Sequence, residues 1–211
     1  GNNYHGANRL GANSLLSACV DGWFTLPLAI PNYLAGLAGQ PLLDVDAPEA
    51  TEALGDVRGR IDHLVNNPGH TRPATFHRRL GEILYTGCGV SRSEAGLTRA
   101  LEQVQELREE FWRDVRVTGT DDRLNQELEK AGRVADFLEL AELMITDALD
   151  RQESCGAHFR EEYALPDGEA KRDDERWCNV SAWETNLAGQ HRRYQEPLRF
   201  ESVKLQVRNY R

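Results

Sequence analysis

Between Phe76 and Leu149 apolar residues return every three or four positions in three successive stripes, and no other feature narrows the fold as much. The first stripe is Phe76, Leu80, Ile83 and Leu84. The second is Leu97, Leu101, Val104, Leu107, Phe111 and Val115, and the third runs through Leu124, Leu128, Ala131, Val134, Leu138, Ala141, Ile145 and Leu149. A shorter stripe of Leu54, Val57, Ile61, Leu64 and Val65 precedes them. Each is the one-sided pattern of an amphipathic helix. The stops lie where helix chemistry puts them, at Asn66-Asn67-Pro68-Gly69, Gly87-Cys88-Gly89 and Gly119, with Ser91 or Ser93 available to cap the longest of the early helices. Helices of this length on short turns bury their stripes against one another. The expectation is a mainly α fold, an antiparallel bundle of three to four helices over 47–150.

The flanks differ from this middle. From Leu15 to Leu43 the chain is apolar nearly all round. Asn13 or Ser14 can cap a helix reaching Phe24, and Pro27 and Pro31 are expected to break it into short pieces. With Asp21 and Asn32 also interrupting it, the stretch reads as protein interior rather than a membrane-spanning helix. Left uncovered, this apolar N-terminal helix segment favours self-association. After Arg151, Asp167-Gly168 and Asp173-Asp174 are turn-like, while Trp177 to Trp183 and Phe200 to Val207 can be extended. Val203, Leu205 and Val207 alternate with Lys204, Gln206 and Arg208, as in a half-buried strand, so a small C-terminal β-appendage is expected. The chain divides at about 1–46, 47–150 and 151–211.

A net charge of −9, spread along the helices, argues against a nucleic-acid partner. Arg78-Arg79 and Arg192-Arg193 read as solvated surface. Cys19, Cys88, Cys155 and Cys178 form no CxxC pair and read as reduced, mostly packed thiols with no metal site. P-loop, HExxH and GxSxG motifs are missing, and Gly87 to Arg92 is a helix–helix turn rather than a dinucleotide loop. His63, His70, His77 and His191 read as structural or solvated residues of helix surfaces and loops.

Two stretches remain. His5-Gly6-Ala7-Asn8-Arg9-Leu10-Gly11-Ala12-Asn13-Ser14-Leu15-Leu16 sets an imidazole and a guanidinium ahead of small residues and a helix start. That pattern suits a carboxylate beside an electron-rich ring or phosphate. It equally suits a buried loop whose Arg9 pairs with a structural carboxylate. Arg151 to Tyr163 packs two Arg, His158 and three Glu into thirteen residues. This is either one face of an anion pocket or, the more economical reading, an ion-pair network that pins the bundle to another unit, since Glu153, Glu161 and Glu162 already supply counter-charge to Arg151 and Arg160.

HGANRLGANSLL, the distant RQESCGAHFREEY and the tail KLQVRNYR together resemble the flavoprotein subunit of succinate dehydrogenase and fumarate reductase over essentially the whole chain. The resemblance implies that Arg9 binds a carboxylate of the C4 dicarboxylate substrate. It also implies that Ser14 and Leu15 contact FAD, and that 1–46 is the last segment of the FAD-binding domain. The positive start of that helix would stabilise reduced flavin. The implied activity is an FAD-dependent interconversion of succinate and fumarate, with hydride passing to or from the flavin and electrons to an iron–sulfur subunit. A membrane-anchor subunit would hold the complex, peripherally, at the cytoplasmic face of the bacterial inner membrane. The family's N-terminal glycine loop, flavin-bearing histidine, capping domain and proton-shuttling arginine have no counterpart here. The chain is therefore expected to be a C-terminal fragment with no catalytic residue of its own, neither holding FAD nor turning over alone. L-aspartate oxidase, a relative of the same scaffold, and a non-catalytic helical interaction module are the alternatives.

Overall fold

The computed structural model describes residues 13–41, 44–120, 122–185, 191–202 and 204–206. Its first element is helical without a break: α1 (Asn13–Val20), one π-helical turn over Asp21–Thr25 and α2 (Leu26–Ala35). The expected interruption at Pro27 and Pro31 does not occur. Pro27 falls in the first turn of α2, where a missing N–H costs little. Just upstream the Leu26 N–H reaches back five residues to the Asp21 carbonyl, a register shift placed where the proline withdraws its donor. Pro31 lies within α2. The helix ends at Gly36, and Gly39 follows with positive φ. No residue of α1 or α2 is buried, and Trp23 and Tyr33 are each 80% exposed. By length and composition, Asn13–Ala35 is the one helix among the described residues that is long and apolar enough to cross a membrane.

Next comes α3 (Pro48–Asn66), which buries only Leu64; Leu54 and Val57 stay about half exposed. Its expected stripe is thus mostly unused. Polar contacts near its C-terminal end hold it to the bundle: Arg60 pairs with Asp136 at 2.6 Å, and Asn67 Nδ2 donates to the Trp112 carbonyl at 2.8 Å.

The core is made by α4 (Pro73–Gly87), α5 (Glu94–Asp114) and α6 (Gln126–Asp150). Phe76, Leu80, Leu97, Val104, Leu107, Phe111, Val134, Leu138 and Ile145 are all buried in one cluster, as their period requires. Phe76, at the start of α4, meets Phe111, near the end of α5, edge to face at 5.2 Å, while Gly87 at the end of α4 faces Ala100 near the start of α5. The two helices are therefore antiparallel. Ser93 caps α5 by accepting from the Gly96 N–H, and Asn125 caps α6 by accepting from Glu127 and Leu128. Val115 leaves the helix and stays buried, with its N–H returned to Phe111. Gly69 is required where it stands, because a Cβ there would collide with the Asp114 backbone that receives the His70 and Thr71 N–H groups.

Beyond Asp150 the chain folds back over the C-terminal end of α6. β1 (Ser91–Arg92), in the α4–α5 turn, pairs in parallel with β2 (Phe159–Arg160). A single 3-10 turn spans Glu161–Tyr163, and α7 (Asp174–Trp177) precedes β3 (Asn179–Thr185) and β4 (His191–Pro197), an antiparallel pair. The β-appendage exists, but its second strand is His191–Pro197 rather than the alternating segment near Leu205. Residues 204–206 form no strand. His191, expected on a helix surface or loop, opens that strand. Trp183 Nε1 donates to Asp147 at 2.7 Å, and Arg193 pairs with Asp150, so the hairpin is anchored to the last turn of α6. Arg193 is not the solvated cation expected, whereas Arg192 stacks on the exposed Tyr194 ring.

Candidate functional site

Arg9 and His5 lie outside the described residues. Ser14 and Leu15 occupy the first turn of α1, Ser14 half-buried and Leu15 71% exposed. The first turn carries no acidic side chain, so no carboxylate of that turn neutralises the positive end of the helix dipole. Ser17 uses its hydroxyl within the helix, donating to the Asn13 carbonyl at 2.8 Å. The described part of α1 thus opens on small side chains with an exposed apolar surface beside them.

The second stretch is fully described, and its groups are paired almost atom by atom. Arg160 is 1% exposed. Its Nη1 donates to the Ala148 and Leu149 carbonyls at 2.9 and 3.2 Å, satisfying acceptors that the end of α6 leaves open. Its Nε donates to Glu162 Oε2 at 3.1 Å. Glu162 in turn accepts the Glu94 N–H at 2.6 Å, so one carboxylate serves the start of α5 while its arginine serves the end of α6. Burial pushes the Glu162 carboxyl up, but the Glu94 N–H and Arg160 outweigh that and hold it below the usual range.

Glu153, 2% exposed, accepts from Arg151 Nε at 2.9 Å and from the Asp173 N–H at 3.0 Å. Ser154 exchanges hydrogen bonds with the backbone of Arg160, accepting its N–H at 2.8 Å and donating to its carbonyl at 3.0 Å. His158 is buried, with Nδ1 2.8 Å from Arg92 Nη1 and Nε2 3.0 Å from the Arg151 carbonyl. A guanidinium only donates and a carbonyl only accepts, so the ring is neutral, with its proton on Nε2. Burial and the arginines at 92, 151 and 160 lower its pKa.

An open cleft of about 610 Å³ lies between this cluster and the hairpin, lined by Arg92, Arg151, His158, Arg172, Trp177 and Cys178 among others. Arg172 is held by Asp174 at 2.6 Å, and Arg151 also donates to the Trp177 carbonyl at 2.7 Å. Arg151 and Arg172 are thus neutralised by carboxylates, while Arg92 is spent on the Gly89 carbonyl and the His158 ring. The arrangement is the ion-pair network, and it fastens the bundle to the C-terminal extension. Sequence reading linked Arg151, His158 and Arg160. It missed Arg92 and Arg172, which no local pattern ties to them across intervals such as the 66 residues between Arg92 and His158.

Burial raises the pKa of Cys88, and burial followed by the Glu153 charge raises that of Cys155, so both are held as thiols rather than thiolates. Cys19, expected to be packed, is exposed on α1. Among the described residues, no group of three His, Cys, Asp or Glu side chains is placed to hold a metal ion.

With this geometry in view, three comparisons identify relatives. Residues 77–210 match the model of a family described as the fumarate reductase flavoprotein C-terminal region. The fumarate reductase flavoprotein subunit of Escherichia coli K12 is 35% identical over 170 residues, covering 81% of this chain and 26% of that protein. The succinate dehydrogenase flavoprotein subunit of Bacillus subtilis is 29% identical, covering 84% of this chain and 29% of its own length. A solved quinol–fumarate reductase with menaquinol molecules superposes with a TM-score of 0.76 at 30% identity, covering 95% of this chain and 33% of that one. An adenylylsulfate reductase from Archaeoglobus fulgidus shares the fold alone, at 16% identity and a TM-score of 0.61. The chain spans between a quarter and a third of the length of the first three relatives.

Proposed function

We propose, from the premise that this chain belongs to the fumarate reductase flavoprotein C-terminal family, that it is the C-terminal part of an FAD-dependent enzyme interconverting succinate and fumarate. The observation that carries this reading is the family match over 77–210 joined to the HGANRLGANSLL run, which ends at the start of an uncovered apolar helix. In this reading Arg9 pairs with one carboxylate of the C4 dicarboxylate through its two-pronged guanidinium and sets the orientation of the substrate's central carbons. The N–H groups of Ser14 and Leu15 would hold the flavin near the start of α1, whose first described turn carries no carboxylate, and a positive dipole end there would favour the reduced ring. Bound FAD supplies the hydride acceptor or donor. The electrons go on to an iron–sulfur subunit, and a membrane-anchor subunit holds the assembly at the cytoplasmic face of the bacterial inner membrane. The exposed faces of α1 and α2 are covered by the remainder of the flavoprotein; in the isolated chain they drive self-association instead.

The DNA upstream of Gly1 tests the first step. A reading frame that continues into a glycine-loop FAD domain supports the proposal, and a stop codon there overturns it. The protein made from that whole frame should reduce fumarate, and Arg9→Lys should lower kcat/KM by about a hundredfold or more because a lysine lacks the bidentate fork. Oxidation of L-aspartate in place of fumarate reduction would turn the assignment to the alternative oxidase. The 211-residue chain alone should purify colourless. Retained flavin fluorescence would defeat the claim that most of the cofactor site lies elsewhere.

A further inference from the structure

We propose that the hydrogen bond between His158 and Arg92 is an acid-released latch that fastens the C-terminal extension to the α4–α5 turn. Arg92 reaches His158 Nδ1 at 2.8 Å while its Nε donates to the Gly89 carbonyl at 2.6 Å, so the turn holds this arginine in place. On the other side of the ring, Nε2 donates to the carbonyl of Arg151, the residue that ends α6. One neutral imidazole therefore spans the α4–α5 turn and the exit of the longest helix. A proton added at Nδ1 would face the Arg92 N–H, turning an acceptor into a donor and setting two cations in contact.

Among the described residues, each carboxylate around the ring is already paired elsewhere. Arg92 faces the ring from β1, Arg151 and Glu153 from the exit of α6, and Arg160 from β2. Across the cleft stand Asp147, Arg172 and Asp174. Glu153 is committed to Arg151 and the Asp173 N–H, Asp174 to Arg172, and Asp147 to the Trp183 indole. Protonation leaves the ring among three guanidiniums in a site where it is only 6% exposed. The cheapest response is separation of β1 from β2. That pairing is two residues long, supplemented by the Phe159 N–H donating to Val90 at 3.2 Å and by Ser91 Oγ and the Glu94 N–H donating to Glu161 and Glu162, whereas the bundle core lies in a different set of contacts.

The sign is fixed by the folded ring being harder to protonate than a free imidazole. The latch is fully closed above the ordinary value of 6.5 and weakens as pH falls below it, by at most tenfold in opening equilibrium per pH unit for one proton.

Hydrogen exchange of the 211-residue chain, corrected for intrinsic pH dependence, tests this between about pH 7.5 and 5. Peptides covering 88–93 and 155–163 should lose protection by up to tenfold per pH unit below 6.5, while peptides covering 97–111 stay unchanged. In His158→Gln the amide accepts from Arg92 and donates to Arg151 without titrating, so protection of both segments should become flat with pH. PH-independent protection in the parent protein overturns the proposal, as does an unchanged pH dependence in His158→Gln. Nitrogen NMR of the parent protein decides independently should that variant not fold. A neutral ring protonated on Nε2 and titrating below 6.5 supports the latch, and the opposite tautomer or an ordinary titration refutes it.

Discussion

Residues 13–35 and 94–114 are both helical and both rich in apolar side chains, yet the first buries nothing and the second buries Leu97, Ala100, Val104, Leu107 and Phe111. The difference lies in arrangement. In α5 the apolar residues keep to one face and the opposite face carries Glu and Arg, so two neighbouring helices suffice to cover it. In α1 and α2 they surround the axis, and no single neighbour could cover such a surface. Under the proposed function, the remainder of the flavoprotein is what covers that surface. Secondary structure and tertiary burial are thus separate properties: residues 13–35 have the first without the second, and α5 has both.

Truncation is the most direct way to break this contrast. Phe111→Ala removes a ring packed edge to face on Phe76 and should cost about 4 kcal/mol in chemical denaturation, whereas Leu16→Ala, on an exposed face, should change stability by less than about 0.5 kcal/mol. An equal loss from both would show that α1 packs on the bundle in solution. A somewhat smaller effect is expected at the polar end of the bundle. Arg160→Met leaves Glu162 and the carbonyls of Ala148 and Leu149 without their buried donor, and should destabilise by about 3 kcal/mol. A near-neutral result would mean that water replaces the guanidinium there. The smallest effect sharpens the local side of the comparison. Asn125→Ala removes the cap of α6 and should cost about 1 kcal/mol, read as a shift of denaturation midpoint without a change in slope.

Much of the bundle was legible because its signals are short-ranged. The Phe76 and Leu97 stripes, the Ser93 cap and the stop before Pro68 each depend on residues within about four positions, and the folded chain uses all of them. Prediction failed where a local rule met a non-local or compensated situation. Pro27 did not end the first helix, because it falls in the first turn of α2 directly after a π turn, and Pro31 stands inside α2 without ending it. Of the alternation expected to be a strand near Leu205, only residues 204–206 are described, and they form none; the edge beside β3 is taken by His191–Pro197, whose charged sequence carries no comparable period. The Leu54 and Val57 stripe was real, but α3 meets the bundle only toward its C-terminal end. For the candidate site, Ser14 and Leu15 lie in the helix expected to follow the HGANR run. The pairing of Arg92 with His158 was not, since each charged residue had many possible partners in the chain.

In the bundle, the sequence by itself determined which segments are helices, where they stop and which face of each is apolar, because period and capping act over one or two turns. It also carried the HGANRLGANSLL and ESCGAHFREEY runs from which the family could be read. Only the tertiary structure decided which apolar faces find cover, which strand completes the hairpin, and that Arg160 and Glu162 tie the end of α6 to the start of α5. Those outcomes depend on where chain segments tens of residues apart are brought together. That is a property of packing as a whole, with no local pattern to announce it.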